Sequence, residues 1–417
     1  MEKDEVIESL EFIDSLEEED EAERQRYLQR RQRIEEMKRK KRQAELIQRC
    51  VLAGAAVLLL VVGIGFGALI RSRFSVDSEL SEESGQLAEA NEETSRAALQ
   101  TEDGQKVLQG GDFSELQDSE MSGKGRSMTA ADGLAGQASP AVFEAFSTAE
   151  TERFWADIVS EYGVLIDVED RTILAAKSYK SRISPASMTK VLTVLTAADA
   201  LGITDGTEPV LDDTFTMTVE ITDYSYVNDC SIAGFSVGEE VSVRELFYGT
   251  ILPSGADAAV GLAVYIAGSQ ESFMELMNEK LKSLGLADST HFTNCVGIYD
   301  EAHYSTVYDI AVILKEAADN PFLRDVLSAH TYAPTLLEAP EDFVWSNWFL
   351  RRIEDRDTHG EVLCGKTGFV NQSGSCAASL AVDINGREYL CVTAGSTSSW
   401  QCIDDQHMLY EKYLPAE

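Results

Sequence analysis

The feature that most constrains this chain is an apolar segment of 20 residues, Val51 to Ile70, which contains no charged side chain. As an α-helix it would span ~30 Å, the thickness of a bilayer hydrocarbon core. A buried core helix of that length would normally keep a polar face, and a signal peptide would have a shorter apolar region nearer the N-terminus. We therefore predict that residues 51–70 form a single transmembrane helix.

The charges beside this segment predict its orientation. Residues 24–49 contain 11 basic and 3 acidic side chains, whereas only Arg71 and Arg73 lie close behind the segment. Because positively charged flanks stay in the cytoplasm, residues 1–50 should be a cytoplasmic charged segment. Its basic part is expected to bind anionic lipid, and a protein partner is the alternative. Everything after the segment should be extracytoplasmic.

Residues 71–147 differ in composition from the C-terminal part of the chain. They are rich in Ser, Glu, Gln and Gly and contain few large apolar side chains. Such a stretch cannot bury enough surface to offset the entropy of ordering it, so we predict a disordered, flexible linker. The whole chain is acidic, with 35 Lys and Arg against 72 Asp and Glu, which excludes a nucleic-acid partner because phosphates would be repelled.

Residues 148–417 predict one folded domain of the α+β class. Two β-type runs, YGVLID and TILAAK, flank Glu169-Asp170 as in a hairpin, and two more flank Asn385-Gly386, a pair typical of a type I′ turn. Apolar or amphipathic helical patterns lie between them, among them residues 187–201, and QHMLYEKY predicts a closing helix. Strands at both ends with helices between them predict an antiparallel sheet packed with helices.

Ser187 and Lys190 form the first candidate chemical motif, Ser-x-x-Lys, at the start of a predicted helix. Their spacing places both side chains on one helix face. A serine hydroxyl is a weak nucleophile without a nearby base, and a lysine can be that base if burial and a neighbouring cation keep it neutral. The helix N-terminus also favours an alkoxide. The motif is short enough to arise by chance, so alone it is weak.

Two further motifs lie downstream in the order expected of serine acyl-transferases. Ser254 lies at a predicted junction of two helices, 67 residues after Ser187, and Lys366-Thr367-Gly368 lies on a β-type stretch. A strand edge with an ammonium and a hydroxyl suits a substrate carboxylate, and the glycine permits close approach of a substrate backbone. Taken singly, each of these two motifs is better explained as part of an ordinary loop or strand.

Four segments in this order resemble the low-molecular-mass penicillin-binding proteins, the serine-type D-Ala-D-Ala carboxypeptidases. They are SPASMTKVLT, VSVRELFYGTILPSGADAA, HFTNCVGIYDEAHYSTVYDIA and GKTGFVNQSGSCAASLA, all between Tyr162 and Gly395. The resemblance implies a β-lactamase/transpeptidase-like fold and removal of the terminal D-Ala from peptidoglycan stem peptides. It also implies inhibition by β-lactams and no need of a cofactor.

The resemblance implies roles for the first two motifs. Ser187 would be the acylated nucleophile, Lys190 its general base, and Ser254 a proton relay. The family's middle motif is Ser-x-Asn, but here the third position is Ala256, which removes an amide expected to orient the lysine and the substrate. We do not expect the adjacent Asp257 to replace it, because neighbouring helix positions face different directions.

The resemblance also implies how the third motif binds substrate. Lys366 and Thr367 would hold the substrate carboxylate, with Gly368 beside them. The N–H groups of Phe369 and of the nucleophile Ser187 would form the oxyanion hole.

Three functional hypotheses remain at this point. The first is a membrane-anchored carboxypeptidase, which the full set of motifs favours. The second is a catalytically weakened penicillin-binding, peptidoglycan-binding or signalling protein on the same fold, supported by Ala256. The third, a β-lactamase, needs a deacylating carboxylate that the sequence does not place.

Other residue types add less. The five histidines have no ligand spacing and no Cys-x-x-Cys pair occurs, so no metal site is predicted. His303 should make a loop-fixing hydrogen bond, and Trp345 and Trp348 should pack in the core rather than at a cleft rim. Cys364 and Cys391 could be either buried thiols or a disulfide.

Overall fold

In this computed structural model the described residues are 142–416, apart from 338, 339 and 341, together with Arg39. The predicted membrane segment 51–70, the cytoplasmic segment 1–50 and residues 71–141 of the predicted linker lie outside them, Arg39 excepted. None of the described helices combines the length and apolarity that a bilayer crossing requires.

Within the described residues, six strands form the main sheet and four short strands form two small ribbons. The strands are Phe146–Arg153 (β1), Tyr162–Asp167 (β2), Thr172–Lys177 (β3), Thr214–Thr216 (β4), Glu240–Ser242 (β5), Thr331–Tyr332 (β6), Trp345–Ser346 (β7), Gly360–Val370 (β8), Gly374–Asp383 (β9) and Glu388–Ser396 (β10). The main sheet has the order β1-β3-β2-β10-β9-β8, which leaves β8 at one edge.

Helices occupy the regions with apolar or amphipathic helical patterns, and three further helices, at residues 219–227, 321–328 and 350–353, were not predicted. The helices are Thr189–Leu201 (α1), Val219–Val227 (α2), Val243–Ile251 (α3), Ala256–Ala267 (α4), Gln270–Ser283 (α5), Val307–Asp319 (α6), Pro321–Ser328 (α7), Leu350–Ile353 (α8) and Ser399–Tyr413 (α9). Helix α1 ends at Gly202 in the left-handed conformation (φ 65°), as glycine at this position predicts. Ser242 and Glu245 form a capping box at the start of α3.

The sheet confirms the antiparallel prediction with one exception. Every neighbouring pair is antiparallel except β1 with β3, which is parallel. β1 begins at Phe146, before the predicted domain boundary at residue 148. It can run parallel to β3 because β2 lies between them along the chain, so no hairpin has to join the two paired strands.

The β9–β10 hairpin is present, but its turn is not the predicted type I′. That turn needs positive φ at both central residues, and only Gly386 has it (φ 83°). The Asp383 carboxylate accepts hydrogen bonds from the N–H groups of Asn385 (2.8 Å) and Arg387 (2.9 Å). This side-chain cap stabilises a longer loop, in which Gly386 alone takes the left-handed conformation.

Both faces of the sheet are buried, which explains why its strands are almost continuously apolar. On β2, Val164 and Ile166 join a large core with the central helices, whereas Leu165 joins a second core under α8 and α9. The helices therefore form layers on both sides of the sheet. The edge strand β8 borders the helical layer that carries the Ser-x-x-Lys motif.

Candidate active site

Ser187 and Lys190 meet at the N-terminus of α1. Ser187 lies in a short 3₁₀ turn, residues 186–188, closed by the Met188 N–H donating to Pro185 O (3.1 Å). Lys190 is 2% exposed, and its Nζ donates to Ser187 Oγ (3.2 Å) and to Val296 O (2.9 Å). The geometry thus places a buried amine in hydrogen-bonding contact with the serine hydroxyl.

Burial changes the protonation of this amine. It lowers the pKa of Lys190 to about 8, although nearby Cys230, Cys295 and Asp257 oppose the change. At pH 7 about one tenth of such lysines are neutral, compared with roughly one in three thousand at the ordinary pKa. Ser187 therefore has a neighbour that can accept its proton near physiological pH.

Ser254 and Lys366 form the second contact of the site. Lys366 on β8 is buried, and its Nζ donates to Ser254 Oγ (2.8 Å) and to Thr367 O (2.9 Å). Burial lowers the pKa of Lys366 well below its ordinary range, and Lys190 lowers it further. The two lysines are thus close enough for the charge of Lys190 to disfavour a charge on Lys366.

The backbone around both serines is strained. Ala186 (φ 48°) and Ser254 (φ 60°) take left-handed conformations that are uncommon for residues other than glycine. Such strain persists only where the surrounding packing over-determines it, and it concentrates at functional sites.

The β8 edge approaches the Ser187 peptide closely. A Cβ placed on Gly368 would lie 2.9 Å from Ser187 N, so a side chain there would occupy the space in front of that N–H. The next residue, Phe369, is 63% exposed. Glycine thus keeps the space between the two predicted oxyanion donors open.

These residues border a cleft of about 850 Å³. Ser187, Lys190, Ser254 and residues 367–369 line it, as do Trp348 and Arg352. Lys366 does not line the cleft and reaches it through Ser254. The structure therefore brings all seven predicted site residues together, with six at the surface of the cleft and one behind it.

The same region of the chain matches a known family. The D-alanyl-D-alanine carboxypeptidase family, peptidase family S11, matches residues 146–397. The chain belongs to this family. The match begins at the first residue of β1 and includes every predicted site residue.

Individual relatives agree with the family. The chain is 32% identical to D-alanyl-D-alanine carboxypeptidase DacF of Bacillus subtilis over 56% of this chain and 57% of that protein. It is 37% identical to a D-alanyl-D-alanine carboxypeptidase of Streptomyces sp. strain K15 over 39% of this chain and 55% of that protein. The matched region thus spans little more than half the length of these curated relatives.

Solved structures show the same fold. A mutant of the Streptomyces K15 DD-transpeptidase has a TM-score of 0.54 and 27% identity, covering 62% of this chain and 99% of that one. Penicillin binding protein 5 from Haemophilus influenzae has a TM-score of 0.52 and 26% identity, covering 60% of this chain and 70% of that one. The β-lactamase/transpeptidase-like α+β fold predicted from the motifs is therefore that of family members of known structure.

The structure also shows the surroundings of Ala256, where the family's middle motif has asparagine. Ala256 is fully buried, and its N–H donates to Ser231 O (2.9 Å). The Asp257 carboxylate is buried, does not line the cleft and accepts from the N–H groups of Ala233 (2.7 Å) and Gly234 (3.0 Å). Asp257 therefore fixes a neighbouring loop and does not replace the missing amide.

The aromatic stack around Arg352 in the cleft was not predicted from the sequence. The guanidinium of Arg352 lies 4.7 Å from the ring centroid of Trp348 and 4.6 Å from that of Trp400. These tryptophans are 57% and 52% exposed, so the core position predicted for Trp348 is wrong, whereas Trp345 is buried as predicted. Only a tertiary contact joins the three residues, and no motif could have indicated it.

The remaining candidates have structural roles. His303 is buried and hydrogen-bonds to Thr189 Oγ1 (2.9 Å), as the loop-fixing prediction required. Cys364 and Cys391 are buried thiols, not a disulfide. In the described part of the chain, no group of three or more His, Cys, Asp or Glu side chains is arranged to hold a metal ion.

Proposed function

We propose that this protein is a membrane-anchored serine D-Ala-D-Ala carboxypeptidase that removes the terminal D-Ala from peptidoglycan stem peptides through an acyl-serine intermediate. The observation that carries the proposal is the contact between Ser187 Oγ and the buried Lys190 amine at the cleft. The proposal extends to the whole protein an activity that the names of its relatives state for them.

In the first half of the reaction, neutral Lys190 accepts the Ser187 proton as Oγ attacks the carbonyl carbon between the two D-Ala residues. The oxygen of that carbonyl becomes negative and is stabilised by the N–H groups of Ser187 and Phe369. The C–N bond then breaks, and the leaving amine takes a proton delivered through Ser254. The products are free D-Ala and an ester on Ser187.

In the second half, water replaces the amine. Lys190 accepts a proton from water as its oxygen attacks the ester carbonyl, and the same N–H groups stabilise the second oxyanion. Collapse returns the proton to Ser187 Oγ and releases the shortened peptide. β-Lactams would acylate the same serine and act as inhibitors. No cofactor enters either step.

The carboxylate of the substrate has three candidate partners. Thr367 lines the cleft, and Lys366 lies behind it with its amine against Ser254. Among the described residues, the neighbouring arginines are paired, Arg351 with Glu354 and Arg356 with Asp404, and Arg352 forms no such ion pair. Stacking against two rings covers the faces of its guanidinium and leaves its edge donors available. We therefore assign Arg352 as a further partner of the C-terminal carboxylate of the substrate.

This assignment predicts the behaviour of two adjacent arginines. Arg352→Ala should lower kcat/KM for a D-Ala-D-Ala peptide about ten- to a hundredfold, the effect of losing a hydrogen bond to a charged group. Arg351→Ala is the matched control, because Arg351 is exposed and pairs with Glu354. Equal activities of the two variants would show that Arg352 does not contact the substrate.

The rest of the chain would deliver the domain to its substrate. In this proposal residues 51–70 cross the cell membrane once, residues 1–50 stay in the cytoplasm, and residues 71–147 give the domain at 148–417 reach into the wall. External protease on intact cells should then release the domain and leave a fragment that contains residues 1–70. Full protection of the domain, with an external control protein digested, would contradict this topology.

The test of the activity uses the detergent-solubilised full-length protein. A pentapeptide ending in D-Ala-D-Ala should lose D-Ala, and a fluorescent penicillin should label the protein covalently. Ser187→Ala should abolish both with little change in thermal unfolding. Labelling without D-Ala release would favour the alternative of a weakened penicillin-binding or signalling protein, and labelling of Ser187→Ala would mean a different nucleophile.

A further inference from the structure

Residues 293–298 form a loop organised around one side chain, Asn294. Its Oδ1 accepts from three consecutive backbone N–H groups, those of Val296 (3.2 Å), Gly297 (2.7 Å) and Ile298 (3.0 Å). Its Nδ2 donates to Ile298 O (2.9 Å) and approaches His303 Nδ1 (3.3 Å). The amide therefore sets the direction of the peptide groups in this loop, including the one that contains Val296 O.

The loop is attached to α1 next to the nucleophile. Val296 O accepts from Lys190 Nζ (2.9 Å), and Cys295 O accepts from Thr193 Oγ1 (2.7 Å). A Cβ on Gly297 would lie 1.9 Å from Ala186 O, so the loop packs directly on the peptide that precedes Ser187. A displacement of the loop would therefore move the acceptor of Lys190.

His303 holds Asn294 from the other side in one protonation state. Its Nδ1 accepts from the Thr293 N–H (3.1 Å), so the proton of the neutral ring is on Nε2 and is donated to Thr189 Oγ1. Burial lowers the pKa of His303 to about 3. The ring thus stays neutral across the physiological range and continues to present an acceptor to the loop.

We propose that Asn294 is a positioning residue for Lys190. Asn294 fixes the Val296 carbonyl, and this carbonyl accepts one N–H of the neutral Lys190 amine. Because that N–H is held, the lone pair of the amine is directed at Ser187 Oγ. A neutral amine has two N–H donors and one lone pair, and it rotates freely about its last bond unless a donor is held. With one N–H on Val296 O, the lone pair can face the serine hydroxyl. The inference rests on the proposed function.

Thr193 supplies a matched control. Its hydroxyl ties the same loop to the same helix through Cys295 O, but within the described structure it makes no hydrogen bond to Val296 or Lys190. Thr193→Val keeps the side-chain volume and leaves Cys295 O without this donor. Thr193→Val and Asn294→Ala should both lower the thermal unfolding temperature, but only Asn294→Ala should change the orientation and the pKa of the Lys190 amine.

The experiment measures the rate constant for acylation of the full-length protein by a slow-reacting penicillin between pH 6 and 10. For Asn294→Ala we expect a plateau about ten- to a hundredfold lower. The midpoint of the acid limb should move to lower pH, because Val296 O no longer favours the charged amine. Thr193→Val should keep the wild-type plateau and midpoint. An unchanged profile for Asn294→Ala, or identical profiles for both variants, would overturn the inference.

A second variant keeps the test decisive if Asn294→Ala does not fold. Asn294→Asp retains an acceptor for the three N–H groups, loses the two donors and adds a negative charge near Lys190, so its acid limb should move to higher pH. A wild-type midpoint for this variant would count against the inference. Acylation of Ser187→Ala would instead contradict the proposed function, so the two failures can be distinguished.

Discussion

Replacing Lys190 by methionine should stabilise the domain at neutral pH while abolishing acylation. The lysine is 2% exposed, and its Nζ contacts Ser187 Oγ and Val296 O. A charged group in such a place is retained for its chemistry and lowers stability. Methionine is similar in length and has no charge to desolvate.

The stability gained by this replacement follows from the lowered pKa of Lys190. Burial lowers the pKa of Lys190 from 10.5 to about 8, and a difference of one in pKa is worth ~1.4 kcal/mol. At pH 7 this lysine therefore destabilises the native state by about 3 kcal/mol. Loss of the hydrogen bond to Val296 O costs about 1 kcal/mol. The expected net gain is about 2 kcal/mol, or roughly 4 °C in Tm for a domain of this size.

The gain should depend on pH with a definite sign. Between pH 8 and 10.5 the native state binds fewer protons at Lys190 than the unfolded state, so the stability of the wild type rises with pH. The advantage of Lys190→Met should therefore be largest below pH 8 and disappear as the pH approaches 10.5. The measurement is thermal unfolding of both proteins at a series of pH values, monitored by near-ultraviolet circular dichroism.

Lys280 provides the control. It forms ion pairs with Asp199 (2.8 Å) and Glu316 (3.0 Å). Burial alone would lower the pKa of Lys280, but the two carboxylates have the larger effect, so its pKa is raised. Lys280→Met should lower Tm at pH 7 and leave penicillin labelling intact. If Lys190→Met is instead less stable than the wild type and the difference does not change with pH, the argument that burial keeps Lys190 neutral is refuted.

Three further outcomes are expected. Gly297→Ala should destabilise the domain by about 3 kcal/mol and slow acylation, because the new Cβ would lie 1.9 Å from Ala186 O on a residue with positive φ. Thermal unfolding measures the first effect and penicillin labelling the second. A wild-type Tm would contradict this packing. Ala256→Asn should raise the acylation rate constant about tenfold by restoring the family's amide; a lower rate with a lower Tm would show that the site has repacked around alanine. Gly368→Ala should slow acylation more than it lowers Tm, since its Cβ would lie 2.9 Å from Ser187 N; an unchanged rate would argue against this N–H as an oxyanion donor.

Local patterns in the sequence predicted several of the strands and helices and one of the two contacts in the candidate site. Two β-type runs around residues 168–171 predicted β2 and β3, and apolar helical patterns predicted α1 and its end at Gly202. The contact of Ser187 with Lys190 was expected from a spacing of three residues in one helix. Interactions of this range depend on backbone geometry that the local sequence specifies.

Tertiary structure alone decided the contacts between distant residues. Lys366 meets Ser254 across 112 residues of sequence, and the motifs indicated that both belong to the site but not that they touch. No motif indicated that Arg352 stacks on Trp348 and Trp400. The acceptor for Lys190 is a backbone carbonyl, Val296 O. Every residue carries such a carbonyl, so only the folded position of the loop around Asn294 could single this one out.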